Sequence, residues 1–293
     1  MIKNSIRVFA LLLLPALWPG TSGAADAGAA PFADEITKQE NIYQSRGEKQ
    51  PEGYVVDRSL LSYTHTLAAG FDRSLADLGP TDRWLDIGAG QGQAVLDYFE
   101  SRFDRMHRDG HEHAERKAKA VAISIEDRRL PAWNETAAKL GGDQLQYLPG
   151  KPLREYLPGE LGRFRLITDV IGGFSYSTNI FDFMTTVLSM LETNGTFYSL
   201  LQDVHAENGA NKPYYAGATY LTEIAGADGS EVRICAWLKS ISCVEVSCNL
   251  KTDWIPPIET YRVRKVCDDV KVPALTANRF LAGTPPERGF KLK

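Results

Sequence analysis

The stretch WLDIGAGQGQAVLDYF, residues 84 to 99, constrains the chain more than any other. A short apolar run ends at Ile87, glycines follow at alternate positions, and an amphipathic run begins at Gln93. Alternate glycines after a buried strand mark a backbone that turns at once into a helix while lying against a ligand. Glycine supplies both the positive φ and the close approach that this needs. A dinucleotide loop has the form GxGxxG and sets phosphates on the helix N-terminus. Here Gly88, Gly90 and Gly92 bring the third glycine one residue early, and Gln93 stands where that pattern has glycine. The loop is therefore a poor match for NAD.

The surrounding chain alternates short apolar runs with helical stretches. From Asp57 to Leu78, Leu60, Leu61, Tyr63, Leu67, Phe71, Leu75 and Leu78 recur at helical spacing, and Gly79-Pro80 closes the helix. Strands are expected at Arg83 to Ile87, AVAISI (120 to 125), QLQYL (144 to 148), FRLITDVI (164 to 171) and TFYSLLQ (196 to 202). Helices are expected over Gln93 to Phe103, up to Leu140, and over Phe181 to Leu191, with a turn at Asn194-Gly195. This rhythm predicts an α/β fold built on a doubly wound, mostly parallel sheet. Beyond Gln202 the texture changes. EVRICAWLKSI and CVEVSC read as antiparallel strands at the sheet edge, with ETYRVRKVCDDV as a further candidate. The tail ANRFLAGTPPERGFKLK reads as a Pro/Gly loop.

With an acid before it, DIGAGQG resembles motif I of the class I S-adenosylmethionine-dependent methyltransferases, an acid and an aliphatic residue followed by GxGxG. Asp86, Ile87, Gly88, Ala89, Gly90, Gln91 and Gly92 match it position by position. The order of elements extends the resemblance over roughly residues 55 to 250. It implies that S-adenosylmethionine is the cofactor, with Asp86, Gly88, Ala89, Gly90 and Gly92 around it. Asp86 would organise the loop and approach the amino end of the methionine moiety. The resemblance also implies an acid at the end of the second strand for the ribose hydroxyls, a task that suits an acceptor-only group. That position holds Ser124, a departure; Glu126, two residues on and on the same side, is the substitute. The competing reading makes Glu126 an ordinary first-turn acid favoured by a helix dipole. Lys151 stands where an adenine-side acid is expected.

After the fourth strand, TDVIGGFSYS offers Asp169 and Tyr176 on the substrate side of the cleft, since strand C-termini face it. Asp169 is either a general base or positioner, or a carboxylate capping its loop. No NPPY tetrad and no Gly-x-Ser-x-Gly elbow is present, so neither amide-nitrogen methylation nor a hydrolase has support. Arg46 and Tyr54 are candidates for a lid. His107, His111 and His113 lie among Arg and Lys and read as a solvated charged face rather than a metal site.

The N-terminus sets a conflict. Lys3 and Arg7 precede an apolar run from Val8 to Trp18, broken by Pro15, and small residues follow. That order predicts a secretory signal over residues 1 to 25. The run is too short for the roughly 20 residues of a spanning helix. An uncleaved anchor is the alternative. Residues 26 to 53 are expected as a flexible segment, 54 to 250 as the α/β domain and 251 to 293 as a C-terminal extension. Cys235, Cys243, Cys248 and Cys267 fit export as two disulfides, with the pairing open. The net charge of −4 without a basic block gives no sign of nucleic acid. The sequence names no methyl acceptor. Two functions remain in view: a methyltransferase, and an exported, degenerate member of the fold that only binds.

Overall fold

The computed structural model describes residues 58–100, 118–129, 131–141, 143–201, 221–252, 258–281 and 287–293. The expected signal, the segment to residue 53, Arg46, Tyr54 and the three clustered histidines lie outside the described residues.

Strands β1 (Arg83–Ile87), β2 (Lys119–Ser124), β3 (Leu145–Pro149), β4 (Phe164–Val170) and β5 (Leu191–Leu201) come first in the chain, and β1, β2 and β4 are near-continuously buried. Such runs belong to parallel strands covered on both faces, where no alternation is required. Strands β7 (Val244–Lys251) and β8 (Ile258–Lys265) complete a seven-stranded sheet in the order β3-β2-β1-β4-β5-β8-β7. β1 through β5 pair in parallel, while β8 runs antiparallel to both β5 and β7. The fold is thus an α/β doubly wound, mostly parallel sheet with antiparallel C-terminal strands. The boundary at residue 250 falls inside β7, and β8, beyond it, lies within the sheet.

One face is covered by α1 (Leu60–Thr66), α2 (Phe71–Ala76), α3 (Gln93–Phe99) and α4 (Ala132–Leu140), which bury Tyr63, Phe71, Val95 and Trp133. On the other face, α6 (Ile180–Met190) and α7 (Ile234–Lys239) bury Met184, Val187, Trp237 and Leu238. A short helix α5 (Gly173–Tyr176) precedes α6. The single helix expected from Asp57 to Leu78 is two: Leu67 turns extended at ψ 169°, and Gly70 opens α2 at φ 92°. The helical spacing is real but the axis breaks at Gly70.

Three further expectations are corrected. Residues 234–239 within EVRICAWLKSI form α7, not a strand; Ile234, Trp237, Leu238 and Ile241 are buried at helical spacing. Asn194-Gly195 lies inside β5, with Asn194 at φ 67°, where the pairing to β4 slips between Phe164 and Leu166. The tail is not a loop. β9 (Leu275–Leu281) and β10 (Glu287–Leu292) join β6 (Leu221–Ala225) in a three-stranded sheet of order β6-β10-β9. Phe280 and Phe290 are buried there; β9 pairs with its neighbour β10, whose other edge is held by β6, far back in the chain.

Both disulfides form, as Cys235–Cys248 and Cys243–Cys267. The first joins α7 to β7; the second joins the start of β7 to the segment after β8. Among the described residues no helix is long and apolar enough to cross a membrane.

Candidate functional site

The strand order reverses between β1 and β4, which lie side by side while their connections lead to opposite faces. Crevices at the strand C-termini open at such a switch point. A cavity of about 500 Å³ lies there. Its wall includes Gly88 and Gly90 after β1, Ser124, Ile125, Glu126 and Arg128 after β2, and Gly172, Gly173 and Tyr176 after β4. Ile87, Ile123 and Leu153 give it an apolar floor.

The glycine loop has a steric explanation at two positions. Gly88 has φ 67°, and a Cβ there would lie 2.7 Å from the Gly172 Cα, so the loops after β1 and β4 meet backbone to backbone. Gly92 has φ 73°, and its Cβ would come 2.5 Å from Cζ3 of Trp133. Ala89 is buried, and its N–H donates to the Ile123 carbonyl at 3.1 Å. The Tyr147 hydroxyl donates to the Gly90 carbonyl and, at 3.2 Å, to the Glu126 carbonyl, joining the glycine loop to the end of β2.

Asp86 is fully buried beneath this wall. The Tyr63 hydroxyl donates toward both of its oxygens at 3.1 Å, and the Thr168 hydroxyl donates to Oδ1 at 2.7 Å. Thr168 in turn accepts from Trp84 Nε1 at 2.8 Å. Burial pushes the Asp86 carboxyl up to about 7 against the opposing pull of the bonds from Thr168 and Tyr63. Burial and the Asp86 charge likewise hold the Tyr63 phenol well above its ordinary range.

Asp169 is also fully buried, and accepts from the N–H groups of Gly172 at 3.0 Å and Phe174 at 2.9 Å. Burial pushes it to about 7 against those two bonds, with the Asp86 charge adding to the rise. This is loop-capping geometry, and it holds the turn that Gly88 touches. Arg58, on the wall, donates from one nitrogen to the carbonyls of Gly88 (3.3 Å) and Val170. Its charge lowers both carboxyls.

Of the residues singled out in the sequence, Gly88, Gly90, Glu126 and Tyr176 reach the cavity. Asp86 and Asp169 lie beneath it, and Ala89 and Gly92 shape the turn. One Glu126 oxygen accepts from Arg128 Nε at 2.6 Å. Arg58, Tyr63, Tyr147 and Thr168 are new to the site. Their contacts span dozens of residues, and only the adjacency of Thr168 to Asp169 was visible locally.

No family model matches the chain, and no curated protein matches it. Among solved structures it is similar to the plantazolicin methyltransferase BpumL, solved with a triazolic desmethylPZN analog and SAH, at 12% identity and TM-score 0.42, over 80% of this chain and 97% of that one. It is similar to an rRNA methylase from Streptococcus thermophilus at 11% identity and TM-score 0.40, over 67% and 94%. It is also similar to PKMT2 from Rickettsia typhi, solved with AdoHcy, at 15% identity and TM-score 0.34, over 46% of this chain. The chain spans only 25% of the length of PKMT2. Similarities this loose carry no residue roles across.

Proposed function

We propose that the protein binds S-adenosylmethionine in this cavity and transfers its methyl group to an acceptor. The observation that carries the reading is the DIGAGQG loop lying at the switch point, with Gly88 and Gly90 on the wall of a cavity of about 500 Å³. That volume falls in the range of small-molecule sites.

The residues present fit the cofactor's groups. Gly88 and Gly90 let the ligand pass close to backbone. Arg58, anchored on the Gly88 and Val170 carbonyls, would hold the cofactor's carboxylate, a group that matches a guanidinium fork. Glu126 would accept from the ribose hydroxyls and Ile87, Ile123 and Leu153 would pack the adenine. Asp86 then acts indirectly, fixing β1 to β4 through Thr168 and to α1 through Tyr63. Asp169 acts likewise by setting the turn at Gly172. When bound, the cofactor supplies an electrophilic methyl group on a sulfonium. The chain's task is to orient the acceptor in line and exclude water, which needs no dedicated base. Tyr176, on the wall after β4, is placed to position that acceptor.

Export belongs to the same proposal, and two disulfides without a described membrane-spanning helix are compatible with it. A second reading, a binding protein without turnover, is favoured by Ser124 and Lys151 on the wall where the resemblance expects acids. Thermal unfolding with S-adenosylhomocysteine separates these from a bare scaffold. Ligand at about 100 times its Kd stabilises the fold by about 2.7 kcal/mol and raises Tm. An unchanged Tm at millimolar ligand removes both readings. Methyl release from S-adenosylmethionine in the presence of candidate acceptors then decides between them.

A further inference from the structure

Away from the cavity, Glu259 on β8 is a buried carboxylate, only 6% exposed. Its hydrogen bond comes from the Tyr261 hydroxyl, which donates to Oε2 at 2.5 Å, and among the described residues no basic side chain pairs with it. A charge taken out of water without a counterion is costly, so a buried carboxylate in this state is suited to a cation. Its neighbours are sulfur. Cys235 on α7, Cys248 on β7 and Glu259 each bring one ligand atom within 4.8 Å of the other two. The strand register sets this: Cys248 lies opposite Tyr261, and Glu259, two residues along β8, shares the face of Tyr261. Both cysteines are half-buried and so open to solvent on one side. Among the described residues this is the one such group, and Cys243–Cys267 has no third ligand.

Joined as a disulfide, the two sulfurs offer no thiolate. When a phosphine or a dithiol supplies two electrons, the S–S bond breaks and each sulfur takes up a proton. We propose that the reduced pair, together with Glu259, binds Zn2+, which displaces those two protons. Zinc holds thiolate and carboxylate ligands at about 2.0–2.3 Å, which sets tetrahedral ligand atoms roughly 3.6–3.8 Å apart. The spread of the three ligand atoms admits that spacing, and with the cysteine Cα atoms 6.1 Å apart the freed sulfurs can reach it by side-chain rotation. Two thiolates argue against Mg2+ and Ca2+, and the carboxylate argues against Cu+. Tyr261 orients the carboxylate from behind, as hydrogen bonds to metal ligands do. Cys235 and Cys248 thus fasten α7 to β7 in either state, through sulfur when oxidised and through the metal when reduced.

Titration of the full chain with Co2+, after anaerobic reduction by a phosphine, reads the site through thiolate-to-cobalt charge-transfer absorption. One Co2+ per chain is expected, displaced by Zn2+, and no such band is expected for the oxidised protein. Cys243→Ser with Cys267→Ser should keep the band; Cys235→Ser with Cys248→Ser should abolish it. Glu259→Gln, which leaves the oxidised protein its disulfide, should weaken binding at least about tenfold. Tyr261→Phe keeps all three ligands and should also weaken it about tenfold. Zn2+ should raise the Tm of the reduced wild type and not that of reduced Glu259→Gln. No charge-transfer band, an affinity untouched by both Glu259→Gln and Tyr261→Phe, or a band that follows Cys243 and Cys267 instead overturns the proposal. So does a reduced chain that unfolds and that Zn2+ does not refold.

Discussion

Replacing Gly88 by alanine separates backbone strain from close approach, because Gly141 supplies a matched control. Both residues have positive φ, 67° and 86°. A Cβ at Gly141 meets nothing within 4 Å, whereas at Gly88 it lies 2.7 Å from the Gly172 Cα. Adopting left-handed φ costs a non-glycine residue roughly 1–2 kcal/mol. The reduced freedom of the unfolded chain works the other way, lowering the unfolded chain's entropy by the equivalent of about 0.4–1 kcal/mol. Gly141→Ala should therefore cost between about 0 and about 1.6 kcal/mol. Gly88→Ala adds an overlap of about 1 Å, since carbon atoms sit comfortably at about 3.5–4.0 Å. Its partner is backbone fixed by Asp169, which cannot rotate aside. Forced overpacking of this kind costs about 1–3 kcal/mol. Urea unfolding of the two variants should thus place Gly88→Ala about 1–3 kcal/mol below Gly141→Ala at equal m-value. Two variants within about 0.5 kcal/mol of each other would refute the account of how the loops after β1 and β4 meet.

The two buried carboxyls make stability fall as pH rises. Asp86 and Asp169 are pushed from 3.8 up to about 7, so between those values the unfolded chain has lost protons that the folded chain keeps. The fall amounts to about 1.4 kcal/mol per pH unit for each carboxyl and levels off above pH about 7. In urea titrations at pH 5 and pH 7, Asp86→Asn should reduce that slope by one carboxyl's share; parallel curves for variant and wild type count against it. Arg58→Met should weaken S-adenosylhomocysteine at least about tenfold and leave adenosine untouched, as the loss of a charged hydrogen bond to a carboxylate predicts. Equal losses for both ligands would place Arg58 in the fold and not at the carboxylate. Double Cys→Ser substitution at Cys235 and Cys248, whose sequence separation is 13, should cost about 3 kcal/mol by loop-closure entropy. Labelling of the unreduced native protein by iodoacetamide would contradict the disulfide assignment.

The parts of the fold legible in the sequence are those set by local chemistry. β1, β2 and β4 announce themselves as buried apolar runs, and DIGAGQG places the turn between β1 and α3 because glycine is required there residue by residue. The break at Gly70 was harder to see, since Leu67 and Phe71 keep helical spacing on either side of it. β9 and β10 pair with each other as neighbours, but the Gly and Pro residues around them suggest a loop, and the second partner of β10, β6, lies far back in the chain. α7 was misread because a short apolar run suits either a strand or a buried helix. In the site, Gly90, Glu126 and Tyr176 followed from position relative to strand ends. Arg58 and Tyr63 did not, because each reaches the site across the fold, Arg58 to Val170 and Tyr63 to Asp86. Asp169 had two readings in the sequence; the N–H groups of Gly172 and Phe174, bonded to its carboxylate, supply a physical reason for the capping one.

Isothermal titration of the folded protein with S-adenosylhomocysteine, beside the Gly88→Val variant, bears most directly on the central claim. Saturable binding at one site per chain that disappears in Gly88→Val is the expected result. No heat at millimolar ligand, or equal binding by the variant, contradicts the claim that the DIGAGQG loop holds this cofactor.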